Sequence, residues 1–308
     1  LPWLLRDLEF SRPTTSEEID FLLELLTDRG LLTRMPYKDP PVWLLPLRLP
    51  EKDLNATASV ALAQAKFSTF LARMGSSNLL EGMEDVLVSS LSEATSFIHG
   101  PDAPTQAVLN AACTVAFDAA RKLEPDAHGL TLDDMAAIHL YTQENPIYGA
   151  LNAALRSEDR DAVKSYWGYI KLLQTALFKL PKDTTGALIR GIRVTWMPLN
   201  DMEAELLELQ ASGDPLIWWG FSSSSTSLPA VEKFLKPDEW KEGDALGPRV
   251  IFTIDGGSSA RDIRRYSCFQ DGKDVPEDER LLPCGTAFTV KSVGSPAPDL
   301  LMVTLKQS

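Results

Sequence analysis

A chain of 308 residues, 44% hydrophobic and 24% charged, is long enough for about two domains with their own cores, and its composition is neither that of a disordered segment nor of a collagen. A formal charge of −13 opposes nucleic-acid phosphates and anionic membrane surfaces, so no nucleic acid and no membrane is expected as a partner. No apolar run nears the roughly 20 residues of a membrane helix, and three cysteines, Cys113, Cys268 and Cys284, are too few and scattered for a disulfide framework or a zinc site.

Reduced thiols fit an intracellular, cytoplasmic setting, although Cys268 and Cys284 are free to pair in space. Leu1 is not an initiating residue, so further sequence is expected upstream. From Thr15 the pattern TSEEIDFLLELLTDRGLL predicts a capped helix whose apolar face carries Ile19, Leu22, Leu23 and Leu26, with Gly30 at its end. A strand at 31–35, a turn and a second strand at 42–49 follow. This helix and wing over residues 1–50 resemble the winged-helix part of the COR region of Roco-type proteins, which implies DNA reading or docking to a protein partner; the glutamates and aspartates along the helix make DNA the poorer choice.

Residues 51–127 read as a helical region, with Ala-rich segments at 57–73 and 105–123 and a third at 79–98, interrupted at Gly75 to Ser77 and at Gly100 to Pro104. His99 reads as a helix-end residue. Thr131 is placed to cap a helix running to about Glu144, ahead of Asp133 and Asp134. Further helices are expected around Tyr148, Leu151, Asn152 and Leu155, and from Arg160 to Lys179. His128 and His139 have no metal-ligand spacing, and no metal is expected.

After Pro181 the texture becomes β: runs at 188–196, 215–221, 249–254, 262–266, 280–282, 286–293 and 300–305, with helical pieces at 201–210 and 230–235. A helical half followed by a mostly β half predicts an α+β fold.

Three features of the β half carry chemistry. Leu188-Ile189-Arg190-Gly191 places a cation near a strand end, beside a glycine that permits close approach. Trp218-Trp219-Gly220-Phe221 runs into Ser222 to Ser227, an apolar strand emptying into hydroxyls, a composition usual for a flexible loop. In VPEDERLLPCGTAFTV, Glu277 and Glu279 stand one residue apart. On a strand they would share a face with Cα atoms roughly 6.6 Å apart; alone, the stretch reads first as a solvated acidic turn.

In order, the segments HLYTQENPIYGALNAALR, LIRGIR, WWGFSSSSTSLPAVEKF, DIRRYSCF and EDERLLPCGTAFTV resemble the arginine-serine-glutamate class of mono-ADP-ribosyltransferases, cholera-toxin-like and vertebrate ecto-enzyme-like, over roughly residues 130–305. The resemblance implies two packed, mainly antiparallel sheets with flanking helices, in a catalytic domain over 128–308. It implies NAD as co-substrate and an arginine-bearing protein as acceptor. Breaking the nicotinamide–ribose bond leaves an oxocarbenium-like sugar that a carboxylate stabilises.

By resemblance that carboxylate is Glu279, and Glu277 holds and deprotonates the acceptor guanidinium. Arg190 and Gly191 serve the pyrophosphate or a ribose. Ser225 bonds Glu279, while Thr226 and Ser227 brace the nicotinamide pocket. Phe234 either stacks on nicotinamide or is a core residue. The segment 266–276 faces the acceptor, with Tyr266 and Phe269 as contacts. Ile189 departs from the aromatic residue usual before the arginine. The same grip on NAD would serve a glycohydrolase with water as acceptor; a non-catalytic interaction module with this fold is the remaining alternative, which intact Arg190, Ser225 and Glu279 argue against.

Overall fold

The computed structural model describes residues 33–35, 42–44, 80, 82–87, 90–100, 103–123, 126–143, 146–156, 160–183, 186–236, 247–255, 259–269 and 278–307. The chain divides into two compact units, Leu1–Thr69 and Phe70–Ser308, so the division falls inside the helical region expected at 51–127. In the first, β1 (Thr33–Met35) pairs antiparallel with β2 (Val42–Leu44), Thr33 opposite Leu44, as the wing pattern predicts. The helix expected from Thr15 and that at 57–73 lie outside the described residues.

The second unit opens with helices whose starts are written in short polar side chains. The helix expected at 79–98 is instead a 3-10 turn, Met83–Asp85, and a short α1 (Leu91–Ser96), which starts where Ser90 Oγ accepts from Glu93 N at 3.1 Å. Thr105 caps α2 (Gln106–Arg121) in the same way. Thr131 and Asp134 form a reciprocal capping box at α3 (Leu132–Thr142), satisfying two otherwise orphaned amides. Asp134 also meets Lys179 Nζ at 2.5 Å, both side chains buried, and so joins the start of α3 to the end of a later helix.

Pro146 opens α4 (Pro146–Arg156), where its missing N–H costs nothing. The single helix expected from Arg160 to Lys179 is two, α5 (Arg160–Lys164) and α6 (Trp167–Lys179); at the break Ser165 Oγ donates to Ala162 O at 3.3 Å, competing with the main chain for that carbonyl. Helix α3 packs between α2 and α6.

The β half follows as β3 (Leu188–Arg193), α7 (Leu199–Ser212), β4 (Leu216–Trp218), β5 (Ser222–Ser225), α8 (Leu228–Leu235), β6 (Arg249–Asp255), β7 (Arg261–Asp262), β8 (Glu279–Leu282), β9 (Thr286–Ala297) and β10 (Leu300–Gln307). Gly213, at φ 77°, ends α7 in the left-handed conformation that favours glycine.

These strands form one mixed eight-stranded sheet in the order β4-β9-β10-β6-β3-β5-β8-β7, in which only β10 and β6 run parallel. The two expected sheets correspond to its two parts, β4-β9-β10-β6-β3 and β5-β8-β7, joined through the single register pair Ile189–Ser225. The larger part makes the core. Val250, Phe252 and Ile254 on β6, and Leu301, Val303 and Leu305 on β10, alternate inward with the period of two of a half-buried strand.

Candidate active site

The serine run is a strand, not a loop. Serine has little intrinsic preference for strands, so β5 owes its conformation to its neighbours: four register pairs with β8, Ser222–Leu282 through Ser225–Glu279, hold it extended. Glu279 is the first residue of β8, so the strand expected to carry both glutamates on one face begins at the second of them. Glu277 lies outside the described residues.

Glu279 is 6% exposed, and each of its carboxylate oxygens accepts a serine hydroxyl: Ser223 Oγ donates to Oε1 at 2.8 Å and Ser267 Oγ to Oε2 at 2.8 Å. The hydrogen bond expected from Ser225 is therefore made by Ser223. Ser225 is the direct cross-strand partner of Glu279, but its hydroxyl accepts from Ser227 N at 3.0 Å, while the carboxylate leans to the diagonal neighbour. Ser227 leads into α8, its carbonyl accepting from Val231 N at 3.3 Å. Thr226 Oγ1 pairs with Asp278, tying the end of β5 to the start of β8 a second time. Behind Glu279, buried Arg280 bonds Asp183 through Nε and Asp278 Oδ1 through Nη1 at 2.9 Å, which fixes the direction in which β8 begins.

Arg190, on the central strand β3, donates from Nη1 to Ser223 O and lies over the Trp218 ring, 5.7 Å from its centroid. Ser223 thus touches both charged groups, Arg190 with its carbonyl and Glu279 with its hydroxyl. Gly191 serves a packing need: a Cβ there would fall 2.7 Å from Val231 Cγ1 and 2.8 Å from Leu235 Cδ2, so its absence lets α8 lie against β3.

These groups open on a cleft of about 1380 Å³, above the range usual for a small-molecule site. In a chain of charge −13, the cleft is lined by three arginines, Arg156, Arg190 and Arg193, with Glu205 and Glu279. Its back corner is braced by Tyr141, whose hydroxyl donates to Phe221 O at 3.0 Å and accepts from Asn152 Nδ2 at 3.0 Å. Burial, with Tyr148 beside it, pushes the Tyr141 phenol well above its ordinary value, so it stays a neutral donor. Gly220 fits against Asn152 Oδ1, which a Cβ would approach to 2.7 Å.

The segment after β7 does not present Tyr266 to an acceptor. Tyr266 is 2% exposed; its hydroxyl donates to Asp126 Oδ1 at 2.6 Å, and its carbonyl accepts from His139 Nδ1 at 2.9 Å. Burial and the adjacent Asp126 carboxylate push its phenol up. Packing turns it inward: the residue is bonded to α3 through His139 and to the turn before it through Asp126. Phe269, next along, is half-buried and lines the cleft.

Phe234 stands on α8, its side chain outside the described residues. Cys268 Sγ donates to Thr142 O and Cys284 Sγ to Gln174 Oε1, and no disulfide joins the two. Among the described residues no cluster of three or more His, Cys, Asp or Glu could hold a metal, and no helix is long and apolar enough to cross a membrane.

Sequence reasoning missed Ser223, Ser267 and Tyr141. The period of two along the serine run could have placed Ser223 on the face of Ser225; nothing local marks Ser267 or Tyr141 as neighbours of Glu279 or Phe221.

The family model described as NAD:arginine ADP-ribosyltransferase matches residues 114–307, well over half of the chain. No curated protein matches it. Among solved structures, the chain is similar to the type III effector XopAI from Xanthomonas axonopodis pv. citri, with 16% identity, 80% of this chain and 92% of that one covered, and a TM-score of 0.51. It is similar also to the ADP-ribosyltransferase HopU1 of Pseudomonas syringae pv. Tomato DC3000 (17% identity, 70% and 95% covered, TM-score 0.48) and to the eukaryotic mono-ADP-ribosyltransferase ART2.2 (17% identity, 71% and 83% covered, TM-score 0.49). At these identities the XopAI likeness is one of fold.

Proposed function

The chain belongs to the NAD:arginine ADP-ribosyltransferase family, whose members act on NAD, and on that premise we propose that it transfers ADP-ribose from NAD to an arginine side chain of a protein acceptor, releasing nicotinamide. The observation that carries the reading is the Glu279 carboxylate, buried and held at both oxygens by serine hydroxyls at 2.8 Å, beside Arg190 in an arginine-lined cleft. NAD fits this set of residues. Arginines suit a pyrophosphate, the aromatic walls Trp218, Tyr148 and Phe269 suit its two flat rings, and a carboxylate suits a ribose hydroxyl.

When bound, NAD supplies an electrophilic ribosyl carbon and a neutral leaving group. Glu279 grips a ribose hydroxyl and stabilises the positive charge that grows on the sugar, with its two serine donors keeping the carboxylate in place. Arg190 keeps the dinucleotide in place with its remaining donors, while the Trp218 ring limits the guanidinium's motion. Thr226 and Ser227 hold the corner between β5 and α8 that borders the nicotinamide side. Glu277 orients the acceptor guanidinium and takes a proton from it as it attacks, which an arginine of free pKa above about 12 requires.

The test is nicotinamide release and agmatine modification, followed by chromatography and mass spectrometry on wild type, Glu277→Gln and Glu279→Ala. Glu277→Gln is expected to lose transfer to agmatine and keep measurable NAD hydrolysis; Glu279→Ala is expected to lose both. Equal loss of both reactions in Glu277→Gln removes its acceptor role, and retained activity in Glu279→Ala sinks the site. A wild type that releases nicotinamide but leaves agmatine unmodified is a glycohydrolase.

A further inference from the structure

Ser267 lies 12 residues before Glu279 and joins it through an arrangement built from three sides. Its main-chain N–H donates to Ile263 O at 3.0 Å, and Ile263 N in turn donates to Glu279 O at 3.4 Å, so the turn 263–267 is hung on the first residue of β8. On one side of Ser267, His139 Nδ1 donates to Tyr266 O; on the other, Cys268 N donates to Thr142 Oγ1 at 3.0 Å. Two neighbours are thus pinned to α3, and Ser267 itself is 7% exposed. Its hydroxyl has one proton, which goes to Glu279 Oε2, and it accepts from Phe269 N at 3.3 Å. Phe269 is the last described residue before the segment 270–277 that leads back to β8.

We propose that Ser267 is a positioning residue for the reaction: it fixes the plane of the Glu279 carboxylate against α3 and passes to it the position of the Phe269 end of the acceptor segment. The inference rests on the reading of Glu279 as the group that faces NAD. A carboxylate held at one oxygen still rotates about its last bond; with Ser223 on Oε1 and Ser267 on Oε2 it does not. The Ser267 hydroxyl touches no substrate in this scheme. It acts by keeping Glu279 aimed before NAD arrives, so that no reorganisation is needed as charge develops.

The experiment uses the full chain and initial rates of nicotinamide release over an NAD titration, with and without agmatine, for wild type, Ser267→Ala, Ser267→Thr, Ser267→Cys and Glu279→Ala. Ser267→Ala is expected to lower kcat about 10- to 100-fold, the effect of removing one hydrogen bond to a charged group, while the KM for NAD stays within about twofold because Arg190 and the cleft walls are untouched. Ser267→Thr, which keeps the donor, is expected to recover most of the rate. Ser267→Cys, close in shape but a weak donor, gives an intermediate kcat and carries the test should Ser267→Ala fold poorly.

A kcat for Ser267→Ala within twofold of wild type overturns the proposal, as does a Ser267→Thr variant no better than Ser267→Ala. An inactive Glu279→Ala beside a fully active Ser267→Ala sinks the positioning role alone. An active Glu279→Ala sinks the reading of the site and the positioning role with it.

Discussion

Arg190 and Glu279 both meet Ser223, the cation at its carbonyl and the anion at its hydroxyl. Both line the cleft in which the proposed ligand carries a pyrophosphate and a ribose. A lysine at 190 would keep the charge but lose the planar fork and the stack on Trp218. Arg190→Lys is therefore expected to raise the KM for NAD by about tenfold with a smaller change in kcat, read from the same nicotinamide-release assay; an unchanged KM would remove Arg190 from NAD binding. Both residues were singled out from the order of segments in the sequence, and the fold brings both to one cleft. Which serine serves Glu279 was not legible there, because Ser223 and Ser225 share a face and only the lean of the carboxylate chooses between them.

At the scale of elements, the site depends on how closely α8 approaches β3. Gly191 permits that approach, and the neighbours a new methyl would meet are a β-branched side chain, Val231 at 2.7 Å, and Leu235 at 2.8 Å, both buried. Neither can swing aside within the packed layer, so the helix must shift. Gly191→Ala is expected to cost about 1–3 kcal/mol as an overpacked site, seen as a lower urea midpoint with unchanged slope. The same shift would displace the Ser225–Ser227 corner and lower the rate. A variant as stable as wild type would mean that α8 accommodates the methyl. The sequence marked Gly191 for close approach, but toward a ligand; the helix that needs the space is 40 residues downstream and appears only once the strand is placed.

Across the whole Phe70–Ser308 unit, the turn carrying Tyr266 and Ser267 is the junction of the helical and β parts, and it contains groups that titrate. His139 is held below its ordinary value of 6.5, chiefly by burial and further by Lys122, against the opposing hydrogen bond to Tyr266 O. Because the unfolded chain then binds the proton more readily, stability falls as pH drops from about 6.5 toward the lowered value. Desolvation would push the carboxyls of Asp126 and Asp262 up, but hydrogen bonds from Tyr266, Leu130 and His128 to the first, and from Arg264 to the second, hold both below the ordinary value of 3.8. Their contribution is present at neutral pH and is lost as pH falls below the carboxylate range. Urea midpoints measured from pH 7 to 3 are thus expected to decline in two stages, and His139→Gln is expected to flatten the first; a first stage unchanged in that variant assigns it to other groups. The sequence by itself determined the helical half and β half and the cap at Thr131, and it singled out Arg190 and Glu279, because capping, periodicity and ordered motifs are properties of neighbours in the chain. Only the tertiary structure decided that four serines form a strand, that Tyr266 turns inward to Asp126, and that Ser223 and Ser267 hold Glu279. Those outcomes depend on contacts between residues as many as 140 positions apart, which no local pattern encodes.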